Sequence, residues 1–345
     1  MAGPAPAAAR DCPSCGAPVG PQDSFCESCG TELAPASVSS GEPGGATQCP
    51  ACPSAQITAD GYCESCGRKV PSGRDHQELD LGLLAGVTDR GLRHHRNEDA
   101  MALATADTEA GPVAVAVVCD GVSTSERPDE ASLAAAQAAV RVLLTAVRTG
   151  EDLVEASSAA VSSAQDAVAS LGARSRNAPS ATFVSAVMTS DAVTLCWLGD
   201  SRAYWLADGP GPAAQLLTRD DSLAEEMVAA GLLAADEAMS SPNAHVVTRW
   251  IGADLGGSAP HVLTFEPPGP GVLLVCSDGL WNYLPEAAKL AERALPGALT
   301  DPLAAAGALV TFAIEAGGSD NITAVLAPFP PTRPAPAGPA ATASS

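Results

Sequence analysis

VAVAVVCDG (Val113–Gly121) is a run of valine and alanine that ends abruptly in an acid and a glycine. Valine at this density reads as a buried strand, and the aspartate falls where the strand must give way to a turn. The construction returns in VLLVCSDG (Val272–Gly279) and, in reverse order, in GGSDNITAV (Gly317–Val325), where Asp320 precedes the apolar run. Asp-Gly is also an ordinary turn dipeptide, and Asp60-Gly61 and Asp208-Gly209 are read as nothing more. Carboxylates at the ends of three separate strands differ from these, because they can converge into a pocket of hard oxygen ligands suited to Mg2+ or Mn2+.

Outward from these runs, further strands are predicted at Leu81–Thr88, Ala181–Met188, Val193–Leu198, Val262–Phe265 and Ile322–Leu326. The Ala-rich segments Asp129–Arg148 and Glu151–Leu171 predict two consecutive helices, with shorter ones at Ser222–Gly231 and Pro302–Glu315. Strands and helices therefore fall into blocks, which favours an α+β fold of antiparallel sheets with packed helices over a doubly wound sheet. This domain is expected over residues 79–327, followed by a disordered Pro- and Ala-rich tail over 328–345.

The chain has 345 residues, of which 46% are hydrophobic and 17% charged, enough to build a sizeable core. Its net charge of -22 opposes attraction to a phosphate backbone, so a nucleic-acid partner is not expected and a phosphorylated partner needs a local cation. No run of 18 apolar residues suggests a membrane span. Met1–Ala9 lacks the basic and apolar regions of a signal peptide, and a cytoplasmic location is expected.

Eight of the eleven cysteines precede residue 67, in two copies of one pattern. Cys12, Cys15, Cys26 and Cys29 form the first CxxC–CxxC set, and Cys49, Cys52, Cys63 and Cys66 the second. Each set suits tetrahedral thiolate coordination of one Zn2+, and a segment this short needs the metal to fold. Disulfide pairing is the competing reading, disfavoured in a reducing compartment. Two zinc ribbons are expected, at 11–33 and 48–71, after a flexible N-terminus at 1–10 and with linkers at 34–47 and 72–78. Residues 1–78 carry Arg10, Arg68, Lys69 and Arg74 against nine acids, so a protein-interaction or regulatory role is favoured over nucleic-acid binding. Cys119, Cys196 and Cys276 lie inside apolar runs and read as small core residues.

The ordered set TDRGLRHHRNEDA (Thr88–Ala100), CDG (Cys119–Gly121), LGDSR (Leu198–Arg202), LTRDDSL (Leu217–Leu223), HVVTRWIG (His245–Gly252), CSDGLW (Cys276–Trp281) and GSDNIT (Gly318–Thr323) resembles the metal-dependent serine/threonine protein phosphatases, the PPM or phosphatase 2C family, of bacterial type. The resemblance implies two antiparallel β-sheets sandwiched between layers of helices, with a two-metal site at one edge. It also implies roles: Asp120 bridging two Mn2+ or Mg2+ ions with the Gly121 carbonyl on one, and Asp278 and Asp320 on the other. Asp99 and Glu98 would contact metal directly or through water, and Asp200 would join Asp278 at a weaker third ion. Phosphorylated proteins, substrates of bacterial serine/threonine kinases, are the implied partners.

Two departures stand out. The family's phosphate-binding arginine falls on His94, with Arg93 and Arg96 as alternatives beside it. Val122, Ser123 and Thr124 follow the CDG motif where the family usually has a further residue and two glycines, so no general acid is assigned there. Arg202 and Arg249 are expected to pair with nearby carboxylates. The competing function is a catalytically weak phosphatase-fold scaffold that recruits partners through its ribbons.

Overall fold

The computed structural model describes residues 10–11, 18–19, 38–40, 52, 56, 58, 62–66, 73–172, 177–208, 214–234, 237–238, 241, 243–252 and 259–332. The chain divides into two units, 1–37 and 38–345. In the first, β1 (Arg10–Asp11) pairs antiparallel with β2 (Pro18–Val19). Cys12, Cys15, Cys26, Cys29 and Cys49 lie outside the described residues, as do the N-terminal segment 1–9 and residues 333–345 of the expected tail.

The second unit opens with β3 (Val38–Ser40) and continues through β4 (His76–Asp80), β5 (Ala85–Asp89), β6 (Asp99–Thr108) and β7 (Gly111–Asp120). Helices α1 (Pro128–Thr149) and α2 (Leu153–Ala169) follow. Then come β8 (Ser180–Ala181), β9 (Phe183–Met188), β10 (Val193–Leu198), β11 (Arg202–Ala207), β12 (Gln215–Leu216), α3 (Leu223–Ala229), β13 (Ile251–Gly252) and β14 (His261–Phe265). The unit closes with β15 (Gly271–Cys276), α4 (Asp278–Trp281), α5 (Ala287–Ala298), α6 (Pro302–Glu315) and β16 (Ile322–Phe329). Two six-stranded sheets result, ordered β14-β10-β9-β7-β6-β3 and β12-β11-β15-β16-β5-β4, and a small β13-β8 ladder. Among the described residues every strand pairing is antiparallel, as the block pattern predicts.

Alternation along the strands builds two cores. On β15, Leu273 and Val275 face the first sheet, where they join Met101, Leu103, Val118, Val184 and Leu195. Val272, Leu274 and Cys276 point the other way, against Leu290, Ala294, Leu309 and Ala313 of α5 and α6. Burial on both faces explains why these strands read as continuous apolar runs. On the far side of the first sheet, α1 packs on β6 and β7. Its buried Ala131, Ala135, Ala138 and Ala139 recur at helical spacing, and their small side chains let the backbone lie close to the sheet. By length and composition alone α1 could cross a membrane, but most of its apolar window is buried in this core.

Several boundaries depart from expectation. The strand predicted at Leu81–Thr88 begins only at Ala85, because Leu81–Leu84 form a turn closed by Leu81 N–H donating to the Leu84 carbonyl. Residues 76–78, assigned to a flexible joint, belong to β4 and pair with β5. Val38–Ser40, assigned to a linker, pairs with Ala102–Ala104 of β6. The start of the expected tail is also structured: Phe329 ends β16 and packs edge-on against Trp205, with ring centroids 5.8 Å apart.

Candidate metal centre

Asp99 begins β6, Asp120 ends β7, and the two are direct cross-strand partners. Asp278 opens α4 just after β15, and Asp320 immediately precedes Asn321 and the start of β16. Asp200 sits in the turn between β10 and β11. The carboxylates thus arrive from the ends of strands in both sheets. Close backbone approach makes this possible at two glycines. A Cβ on Gly121 would lie 2.4 Å from the Pro128 carbonyl oxygen, and one on Gly279 only 1.9 Å from that of Asn321.

Burial and mutual repulsion dominate the electrostatics. Burial raises the Asp120 carboxyl well above its usual range, and Asp99, Asp278, Asp320 and Asp200 all push it further up. Asp278 is raised in the same way, by burial and then by Asp200, Asp320 and Asp99. Asp200 is pushed up to about 7, first by burial and then by Asp220. Burial also raises Asp99, to about 6, against the opposing effect of two hydroxyl donors. Those donors are Thr323 and Ser277, each 2.7 Å from Asp99 Oδ2.

A donor chain stands behind them: Asn97 Nδ2 donates to Thr88 Oγ1 at 2.9 Å, and Thr88 bonds Thr323 at 2.7 Å. With its own proton committed to Asp99, Thr323 must accept from Thr88. Asp99 Oδ2 is therefore saturated, whereas Asp99 Oδ1 and Asp278 Oδ1 are buried without a partner. Unpartnered carboxylate oxygens within a repelling cluster are what hard divalent cations would satisfy, so the residues fit Mn2+ or Mg2+.

The loop between β5 and β6 carries the remaining groups. His94 Nε2 lies 3.2 Å from Asp320 Oδ1, and its Nδ1 lies 3.8 Å from Glu98 Oε2. Arg90 donates to the His94 carbonyl. Arg93 is exposed. Arg96 is half exposed and pairs with Asp129 at 3.0 Å, its Nε 3.8 Å from Glu98. Glu98 accepts from Ser123 Oγ at 2.6 Å, so the residue that replaces a family glycine orients this carboxylate.

Asn321, unassigned from sequence, binds the loop to the site: its Oδ1 accepts from Glu98 N–H at 2.7 Å, and its Nδ2 donates to the carbonyls of Arg90 and Arg96. Its only sequence signal was its place beside Asp320 in GSDNIT. Arg202 pairs with Asp220 and Arg249 with Asp221, as expected. Cys119, Cys196 and Cys276 are fully buried core residues.

Three ribbon cysteines are described. The sulfurs of Cys52, Cys63 and Cys66 lie within 4.8 Å of one another, with those of Cys52 and Cys63 3.4 Å apart. Burial works against the Cys63 thiolate, but hydrogen bonds from Cys66, Cys52 and Ser65 outweigh it and bring the thiol down to about 6. Clustered soft donors of this kind fit Zn2+.

Two antiparallel sheets whose strand ends bring buried aspartates together define the class of fold and site, a sandwich with a centre suited to hard divalent cations. The sequence profile of the protein phosphatase 2C family matches residues 92–300, more than half of the chain, and the chain belongs to that family. A double zinc ribbon profile matches residues 12–67. The serine/threonine phosphatase stp of Listeria innocua is 33% identical over 152 residues, 44% of this chain and 57% of that protein. The chain thus spans little more than half the length of that relative.

Among solved structures, the PPM Ser-Thr phosphatase MsPP from Mycobacterium smegmatis, in complex with cacodylate, is similar at 28% identity and a TM-score of 0.56, over 71% of this chain and 97% of that one. The catalytic domain of PstP in complex with two manganese ions shares the fold at 24% identity and a TM-score of 0.56, over 71% and 97% of the two chains.

Proposed function

We propose that the chain hydrolyses phosphoserine and phosphothreonine in proteins, with two Mn2+ or Mg2+ ions held by Asp120, the Gly121 carbonyl, Asp278 and Asp320. The carrying observation is the cluster of buried, mutually repelling aspartates with two unpartnered carboxylate oxygens. Such ions, when bound, lower the pKa of a water and neutralise phosphoryl oxygens. The two manganese ions of the PstP catalytic domain support the same reading here.

The protein's own groups would orient that chemistry. Ser277 and Thr323 fix Asp99 with its free oxygen available, and Ser123 fixes Glu98. Asp200, beside Asp278, would serve a weaker third ion. His94 would meet the phosphate, a reading supported by its contact with Asp320. Arg93, exposed on the same loop, and Arg96 are the alternatives, and Arg96 would have to leave Asp129 to do so. Phosphoproteins made by serine/threonine kinases are the proposed substrates, and the cytoplasm the proposed location. The ribbons, each holding one structural Zn2+, would target or regulate the enzyme.

The test is hydrolysis of a phosphothreonine peptide. Turnover should require Mn2+ or Mg2+ and disappear in Asp120→Asn and Asp278→Asn. A folded wild type that binds partners but releases no phosphate with either metal would favour the scaffold instead.

A further inference from the structure

Arg74 lies eight positions beyond Cys66, in the segment that sequence reading assigned to a flexible joint. Its side chain is only 12% exposed. Nη1 donates to the Asp129 carbonyl at 2.9 Å and Nη2 to the Asp99 carbonyl at 3.3 Å, with the Asp129 carboxylate 3.8 Å away. The backbone around it is stitched as well: Asn97 Nδ2 donates to the Arg74 carbonyl at 3.1 Å, and Arg90 N–H to that of Asp75 at 2.8 Å. Asn97 in turn accepts from Asp99 N–H at 3.2 Å. One residue therefore grips the first peptide of β6, the first turn of α1 and the loop that carries His94 and Glu98.

The segment bearing the second cysteine set is tied at its other side too. Ser40, at the end of β3, pairs with Ala102, three residues along β6 from Asp99. The chain leaves this strand near Asp99 and returns to the Asp99 carbonyl itself.

We propose that Arg74, contributed by the arm of the second ribbon, is a positioning residue for the metal carboxylates. A guanidinium presents several donors in a fixed plane, so it can hold two carbonyls on different elements at one spacing. Removing it frees the Asp99 peptide from the start of α1, and leaves the Asp99 carboxylate to be aimed by Ser277 and Thr323 alone. Groups behind the ligands tune affinity in this way.

The inference rests on the metal-dependent reading above, and the experiment separates the two. Mn2+ binding to the full-length protein, with its zinc retained, is measured by calorimetry alongside melting temperature, for wild type, Arg74→Ala, Arg74→Lys and Asp152→Ala. Asp152 caps α2 beyond the far end of α1, so its variant is a control for lost stability alone. Arg74→Ala should bind Mn2+ about tenfold more weakly, with excess Mn2+ restoring peptide turnover. Arg74→Lys should fall between, since an ammonium cannot hold both carbonyls at that spacing. Asp152→Ala should melt lower with wild-type Mn2+ affinity. Wild-type affinity in Arg74→Ala would overturn the inference alone, and should that variant not fold, wild-type affinity in Arg74→Lys would do the same. Failure of the wild type to take up Mn2+ would overturn the metal-dependent reading as well.

Discussion

Asp220 and Asp278 are both buried acids, and the protein treats them in opposite ways. Asp220 receives Nε and Nη2 of Arg202 at 2.9 and 2.7 Å, and the same guanidinium bonds Tyr204 and stacks 3.7 Å over the Trp281 ring. Burial works against the Arg202 charge, and the Asp220 carboxylate more than makes up for it. Asp278 has Asn282 on one oxygen, nothing on the other, and acids around it. The fold gives the first acid a counter-charge, although burial still holds Asp220 above its ordinary range, and gives the second none. A buried acid therefore signals structure when its counter-charge is folded in with it, and binding when it is not.

Neutralising each acid should break the comparison most sharply. Asp220→Asn leaves Arg202 buried with half its bonds, and should destabilise the fold by about 3–5 kcal/mol, seen as a lower denaturant midpoint with or without Mn2+. Asp278→Asn relieves repulsion, so the Mn2+-free protein should gain stability on the order of 1 kcal/mol. The same variant should lose both the Mn2+-induced rise in melting temperature and the activity. Equal destabilisation by the two changes would mean that the Asp278 site is structural.

Acidity gives a smaller effect of fixed sign. Asp99 and Asp200 titrate at about 6 and about 7 in the folded chain, above their ordinary 3.8, so the folded state holds protons that the unfolded state has released. Their contribution to stability is fully present below about pH 4 and is lost as the pH rises through 6 to 7. Melting of Mn2+-free protein should accordingly drop across that window. Added Mn2+ should reverse the slope, because binding displaces the protons. A flat profile without metal would contradict the raised values.

The smallest expected effect is at His94. Since Arg stays charged and can grip two oxygens, His94→Arg should lower the Michaelis constant for a phosphopeptide about three- to tenfold. His94→Ala should raise it with less change in turnover. If Arg96 is the phosphate partner, Arg96→Ala alone should raise the constant, and both His94 variants should behave like wild type.

The clustered carboxylates were legible because they interrupt apolar runs, and a charge at a strand end is visible without neighbours. The groups that aim them were not. Asn97, Asn321 and Arg74 are polar residues in loops, with no periodicity to betray that each bonds elements far away in sequence. Ser123 could be noticed as a departure, but only the fold shows it bonding Glu98. Strand β6 escaped because DAMALATADT is rich in alanine, a helix former, and is a strand only because β7 and β3 flank it. Strand β4 has an ordinary polar sequence and owes its state to the open edge of β5. Helix α5 carries Pro296 near its end, which masked it.

The register of the carboxylates also orders the birth of the fold. Asp99 and Asp120 face each other across one hairpin whose tip is only a few residues long, a local contact that a chain can close early. Asp278 and Asp320 flank the β15–β16 pair, which closes over the three intervening helices. The two halves meet through β5 and β16, where Thr88 bonds Thr323 across 235 residues of chain. Loop closure of that span makes it a late event. Repulsion between the Asp99–Asp120 pair and the Asp278–Asp320 pair is therefore felt only when the halves come together. A divalent ion arriving then would speed the closing step and slow its reversal, so the chain should refold faster in Mn2+ than without it.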